Sequence, residues 1–92
     1  MLYLIIENFR NGDAVPIYRR FRDSGRMMPD GLRYVASWVT ADLRRCFQVM
    51  ECEDPSLLAQ WIARWDDLID FDVSQIMTSA EAAKTIAPRL DG

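Results

Sequence analysis

Residues 45–65 read RCFQVMECEDPSLLAQWIARW, and the fold turns on this stretch. Arg45 to Cys52 is extended in character. Asp54-Pro55 then opens a helix, with Asp as the N-cap and Pro at the first helical position, where its missing N–H costs nothing. Leu58, Trp61, Ile62 and Trp65 fall at i, i+3, i+4 and i+7, the stripe of a helix lying on a sheet. A strand leading into a one-sided aromatic helix calls for a layered sheet-and-helix architecture.

Working outward, Leu32 to Val39 and Arg45 to Cys52 form a hairpin across a turn at Thr40–Leu43. Leu2 to Phe9 is a first strand, followed by an Asn11-Gly12 turn with Asp13 as N-cap. A helix then runs from about Ala14 to Ser24 and stops at Gly25. Val15, Ile17, Tyr18 and Phe21 make its apolar side, and Arg19, Arg22 and Arg26 its basic one. Gly25 to Gly31 is a loop with Met27 and Met28 at its centre. Ile69 to Met77 is a fourth strand, and Thr78-Ser79-Ala80-Glu81 is a capping box for a short C-terminal helix reaching about Ala87, before Pro88. Strand, helix, strand, strand, helix, strand is the order of an α+β, ferredoxin-like β-α-β-β-α-β fold. One such domain over residues 1–92 is expected, its four-stranded antiparallel sheet covered by helices on one face.

Alternation along the strands assigns Leu2, Leu4, Ile6, Val35, Val39, Phe47, Val49, Phe71 and Val73 to the helix-covered side. The opposite parity puts Tyr3, Ile5, Glu7, Phe9, Tyr34, Ala36, Trp38, Cys46, Gln48 and Met50 on the open face. That face is too apolar for water. A second copy packed against it would cover it, so the expected partner is a homodimer through the open sheet face, a dimeric α+β barrel.

The chain contains no histidine. It therefore lacks the commonest general acid/base, the commonest metal ligand and the usual axial haem ligand. A net charge of −3 lacks the basic footprint that nucleic-acid binding needs. No apolar run approaches the roughly 20 residues of a membrane span, and Met1 to Phe9 has no signal-peptide flanks. A cytoplasmic location without nucleic-acid or membrane partners is expected. Cys46 and Cys52 lie in one extended segment, roughly 20 Å apart, beyond disulfide reach. They read as buried free thiols, with no histidine to activate either as a nucleophile.

Three segments, MLYLIIENFRNGDAVPIYRRFRDSGRMMPDGLRYVASWV (1–39), RCFQVMECEDPSLLAQWIARWDDLIDFDV (45–73) and TSAEAA (78–83), resemble small bacterial proteins of the domain of unknown function 3303 family. The resemblance covers nearly the whole chain and implies no established activity. More distantly the layout is similar to the dimeric α+β barrel superfamily, which includes antibiotic-biosynthesis and haem-degrading monooxygenases, muconolactone isomerases and stress-responsive barrels. Its haem-degrading members use a histidine, which this chain does not contain.

Glu7 stands in an otherwise apolar strand. Desolvation would raise its pKa and suit it to act as a general base or as a hydrogen-bond donor to a ligand, which makes it the candidate catalytic residue. The alternative is a structural ion pair with Arg33 or another arginine across the dimer. Tyr3, Glu7, Tyr34, Trp38 and Gln48 form the expected ligand-binding set, the aromatics stacking a planar molecule and Gln48 fixing its polar edge. Dimer packing is the competing use for the same aromatics. Asp66, Asp67, Asp70 and Asp72 lack calcium-loop spacing and read as a solvated cluster. Arg19, Arg20, Arg22 and Arg26 read as a solvated basic face. No metal and no cofactor is expected. The expected function is a homodimer binding a small apolar or aromatic ligand at its open sheet face. The alternatives are a cofactor-free monooxygenase- or isomerase-like enzyme and a purely structural or regulatory dimer.

Overall fold

The computed structural model describes residues 1–91. Its elements are β1 (Leu2–Phe9), a single 3-10 turn (Arg10–Gly12), α1 (Val15–Ser24), β2 (Arg33–Val39), β3 (Arg45–Glu51), α2 (Ser56–Ile62), β4 (Ile69–Ile76) and α3 (Ser79–Leu90). The strands form one antiparallel sheet in the order β2-β3-β1-β4. This is the α+β, ferredoxin-like arrangement: each of the two central strands is followed by a helical crossover to an edge strand.

The turn chemistry follows the sequence. Asn11 and Gly12 take left-handed φ values of 59° and 61°, and the Asp13 carboxylate accepts the Val15 N–H at 3.0 Å. Asp54 accepts the Ser56 N–H at 2.9 Å. Gly25, at φ 69°, ends α1. Thr78 caps α3 by accepting the Glu81 N–H at 3.1 Å.

Two helix ends differ from expectation. α2 ends at Ile62, but the chain continues in tight turns closed by Trp65 N–H to Ile62 carbonyl (2.9 Å) and Leu68 N–H to Trp65 carbonyl (3.0 Å). Trp65 therefore stays buried. α3 runs through Pro88 rather than stopping before it. Proline removes one N–H from the ladder, and on this wholly exposed helix water can serve the carbonyl left without it.

The larger correction concerns the faces of the sheet. Tyr3, Ile5, Phe9, Cys46 and Met50 do not lie on the open face; they are buried in one cluster with Ile17, Leu58, Trp61, Trp65 and Ile69 under the helices. Glu7 and Gln48 are buried on that same side. Leu2, Leu4, Ile6, Phe47 and Val49, expected beneath the helices, are half-buried on the opposite face. β4 decides the parity. Its register sets Phe9 opposite Ile69, Glu7 opposite Phe71 and Ile5 opposite Val73, and directly paired residues share a face. Ile69, Phe71 and Val73 alternate with Asp70, Asp72 and Ser74, so only one side of β4 can be core. Phe71 meets Trp61 edge-on at 5.6 Å between ring centroids. β1 has apolar residues on both sides and could not make that choice alone.

In β2, a bulge between Tyr34 and Ala36 sets Tyr34 opposite Met50, Ala36 opposite Val49 and Trp38 opposite Phe47. Tyr34 thus belongs to the helix side, while Ala36 and Trp38 lie on the open face as expected. Val35 is the bulged residue and is exposed. Among the described residues, no helix is long and apolar enough to cross a membrane.

Candidate functional site: a cavity between the sheet and the helices

A cavity of about 150 Å³ lies between the sheet and the helix layer. Its floor is sheet: Glu7 and Phe9 from β1, Ser37 and Val39 from β2, Cys46 and Gln48 from β3. Tyr18 and Phe21 of α1 and the buried Trp61 and Trp65 make its walls, and Arg26, from the loop after α1, completes the lining. The floor residues share one side through register, because Glu7 pairs with Cys46 and Ile5 with Gln48 across β1 and β3. Val39 pairs with Cys46 and Ser37 with Gln48 across β2 and β3.

Glu7 is 6% exposed. Burial pushes its carboxyl from an ordinary 4.5 up to about 7. The neighbouring Cys46 thiol and the Arg26 guanidinium favour the anion and hold the rise back. The expected Glu7–Arg33 pair does not form; Arg33 pairs with Glu51 at the sheet edge. Cys46 is pushed up to about 12, first by its own burial and then by the Glu7 charge. It is a thiol at neutral pH, not a thiolate nucleophile. Tyr18 is raised too, by desolvation and by its proximity to Cys46 and Glu7. Gln48 donates to the Met50 sulfur at 3.2 Å, which leaves its carbonyl oxygen available to a ligand.

Helical spacing places Arg26 with Arg19 and Arg22 on the basic side of the first helix, but it does not lie there. α1 ends at Ser24, and the left-handed Gly25 turns the chain back over the sheet. The Arg26 guanidinium lies 3.9 Å from the Tyr34 ring centroid and 5.1 Å from that of Phe21. Its carbonyl accepts two indole N–H groups, from Trp61 and from Trp65, each at 3.0 Å. A third donor, the Arg64 guanidinium, reaches the Met27 carbonyl of the same loop. Met27 and Met28 are half-buried against the core, so this loop is a packed wall.

Of the expected ligand-binding set, Glu7 and Gln48 line the cavity. Tyr34 stands behind Arg26, its hydroxyl 2.8 Å from the Ser37 hydroxyl. Tyr3 is buried but lies four residues along β1 from Glu7, about 13 Å away at strand rise. Trp38 is 61% exposed on the other side of the sheet. The sequence reading missed Arg26, Tyr18, Phe21 and Cys46 as lining residues, and took Trp61 and Trp65 as core alone. The Trp61 and Trp65 indole N–H groups were the available signal, since a buried indole nearly always finds an acceptor.

The remaining charges behave as solvated groups. Arg20 forms a two-pronged pair with Asp67 at 2.8 and 2.7 Å, and Arg10 pairs with Asp70 at 3.3 Å. Cys46 and Cys52 are both free and buried. Among the described residues, no group of three or more Cys, Asp or Glu is arranged to hold a metal ion.

The arrangement is an aromatic cavity with a carboxyl poised near neutrality on its floor and a guanidinium at its wall. No curated protein matches this chain. The family model described as Domain of unknown function (DUF3303) matches residues 1–90, and the chain belongs to that family.

Proposed function

We propose that this protein is a small-ligand-binding homodimer whose ligand, a small apolar or aromatic molecule, occupies the cavity between sheet and helices. The observation that carries the reading is Glu7: a carboxyl raised to about 7 inside an aromatic cavity. Such a group costs stability unless something uses it, and perturbed carboxyls in clefts mark binding and catalytic sites. The ligand site is thus the helix side of the sheet, and the open face is left for the second copy. Leu4, Ile6, Phe47, Val49 and Trp38 supply its apolar centre.

Charge distribution supports that partner. On the open face the end of β4 beside Asn8 carries Asp70 and Asp72, and the matching end of β3 carries Arg45, while Glu51 at the far end of β3 is already paired with Arg33. A two-fold axis along β1 would set the β4 of one copy over the β3 of the other, acid opposite base. α3 is exposed along its whole length and is available to extend the contact toward the roughly 800 Å² that each partner of a stable dimer buries.

A second reading is a cofactor-free monooxygenase- or isomerase-like enzyme. What favours it is the same carboxyl, since a base with pKa near the working pH is best placed to move a proton. In this reading Glu7 takes a proton from a ring-bound substrate while Gln48 and Ser37 hold its polar atoms.

Native mass spectrometry of protein purified without denaturation tests both claims at once. A dimer mass with a co-purifying small molecule, released when Gln48→Trp fills the cavity, is the expected result. A monomer at micromolar concentration overturns the dimer. Ligand retention unaffected by filling the cavity with Gln48→Trp overturns the site.

A further inference from the structure

We propose that the cavity selects a monocyclic aromatic carboxylate, with the ring held among Trp61, Trp65 and Phe9 and the carboxylate held by Arg26. This rests on the ligand-binding reading above and specifies its ligand.

Size sets the first limit. A cavity of about 150 Å³ is the volume that holds one benzene ring in an apolar protein interior. A second fused ring would project through the mouth past the exposed Tyr18 and Phe21 instead of lying between the walls. The walls themselves are aromatic, so ring edges and faces meet ring edges and faces.

Charge sets the second limit. Arg26 is the lining cation, and among the described residues its guanidinium makes no ion pair. The guanidinium carbon lies over the Tyr34 and Phe21 rings, and among the described residues its N–H groups donate no hydrogen bond, which leaves them for an acceptor. That planar edge matches a carboxylate in two parallel hydrogen bonds. A ligand cation would meet Arg26 with like charge, and Glu7, held largely uncharged by burial below neutrality, would not compensate there.

The groups facing Glu7 are Cys46 from β3, Arg26 from the loop and Tyr18 from α1; the β4 neighbour Phe71 is uncharged. Of these only Arg26 favours the Glu7 anion by its charge. A ligand carboxylate on Arg26 therefore takes away that support and binds best when Glu7 holds its proton. Affinity for the anion falls as pH rises through Glu7's titration.

Arg26→Gln should fold, because the hydrogen bonds that tie the loop to the core use the residue's carbonyl, and its side chain adds only contacts with the Tyr34 and Phe21 rings. Benzoate, benzamide and acetate are titrated into ¹⁵N-labelled protein at pH 6 and pH 8, and the indole N–H signals are followed. Trp61 and Trp65 should shift with benzoate, while Trp38, on the other face, serves as an internal control. Benzoate should bind at least tenfold tighter than benzamide or acetate, and tighter at pH 6 than at pH 8. Arg26→Gln should lower benzoate affinity to the benzamide level and leave benzamide unchanged. Equal binding of benzoate and benzamide keeps the aromatic site and overturns the carboxylate. Acetate binding as well as benzoate overturns the ring. No shift with any of the three, in protein whose spectrum is folded, overturns the cavity as a ligand site altogether.

Discussion

Replacing Glu7 with Gln should stabilise this protein at alkaline pH and flatten its pH dependence. The buried carboxyl titrates at about 7 in the folded chain against an ordinary 4.5. The native state therefore keeps its proton to higher pH than the unfolded state does. By linkage, stability falls with pH wherever the native state binds more protons. Below 4.5 both states are protonated and Glu7 costs nothing through its charge. Between 4.5 and 7 the cost grows, and above 7 it is complete. A rise of about 2.5 in pKa, at roughly 1.4 kcal/mol for each tenfold change, corresponds to on the order of 3 kcal/mol. Relaxation and water entry would reduce this, so a gain of about 1–3 kcal/mol is expected for Glu7→Gln at pH 8, with little or none at pH 4.5. The absence of histidine leaves the window between pH 5 and 7 free of other side chains that ordinarily titrate there. Urea unfolding at fixed protein concentration, stepped from pH 4.5 to 8, reads the effect. A wild-type curve flat across that window, or a Glu7→Gln curve with the same slope, would refute the assignment of the slope to a buried Glu7.

Trp61→Ala should cost roughly 3–5 kcal/mol, since Trp61 is 3% exposed and joins α2 to Phe71 and the Arg26 loop; an unchanged unfolding midpoint would contradict the core as described. Trp38→Asp should leave the subunit's unfolding free energy within about 0.5 kcal/mol, because its ring is exposed, yet light scattering should show the dimer lost. A chain ending at Met77 lacks α3, none of whose residues is buried; its circular dichroism should lose helix while its near-ultraviolet aromatic signal persists, and its dimer should dissociate at lower dilution. Cys46, buried and pushed up to about 12, should remain unalkylated by iodoacetamide in native protein at pH 8 and react only after unfolding.

The order of elements was legible in the sequence because its punctuation is chemical: Asn11-Gly12, Gly25, Asp54-Pro55 and Thr78 each act locally, and each acts where it was read. The faces of the sheet were less legible. In LYLIIENF both parities are apolar, so period-two reading of β1 cannot separate a side under helices from a side awaiting a partner. Glu7 and Gln48 share the parity read as open, and a cavity holds them on the covered side. β4 held the answer in its Ile69-Asp-Phe-Asp-Val73 alternation, but carrying it to β1 needs the register, which is a tertiary fact. Arg26 was hidden for a different reason. Continued at helical spacing it joins Arg19 and Arg22, but a left-handed Gly25 breaks the period one residue earlier. The acceptor for the two indoles lies 35 and 39 residues away in sequence, a separation no local pattern reports.

Those two hydrogen bonds tie the stability of the chain to the chemistry of its cavity. A carbonyl oxygen has two lone pairs, and the Arg26 carbonyl uses both on the indoles that also wall the chamber. The core therefore holds the backbone from which the guanidinium extends, and the guanidinium is in turn the positive charge acting on Glu7. Loosening Trp61 or Trp65 consequently acts twice, once on packing and once on the position of Arg26. If Arg26 moves away, Glu7 loses a charge that favours its anion, so its pKa should rise from about 7. Trp65→Phe is the mild form of this change: it keeps most of the ring volume and removes one of the two donors. The carboxyl titration of Glu7, followed by carbon-13 NMR, should shift upward in that variant. An unshifted titration would show that the latch and the cavity charge are independent.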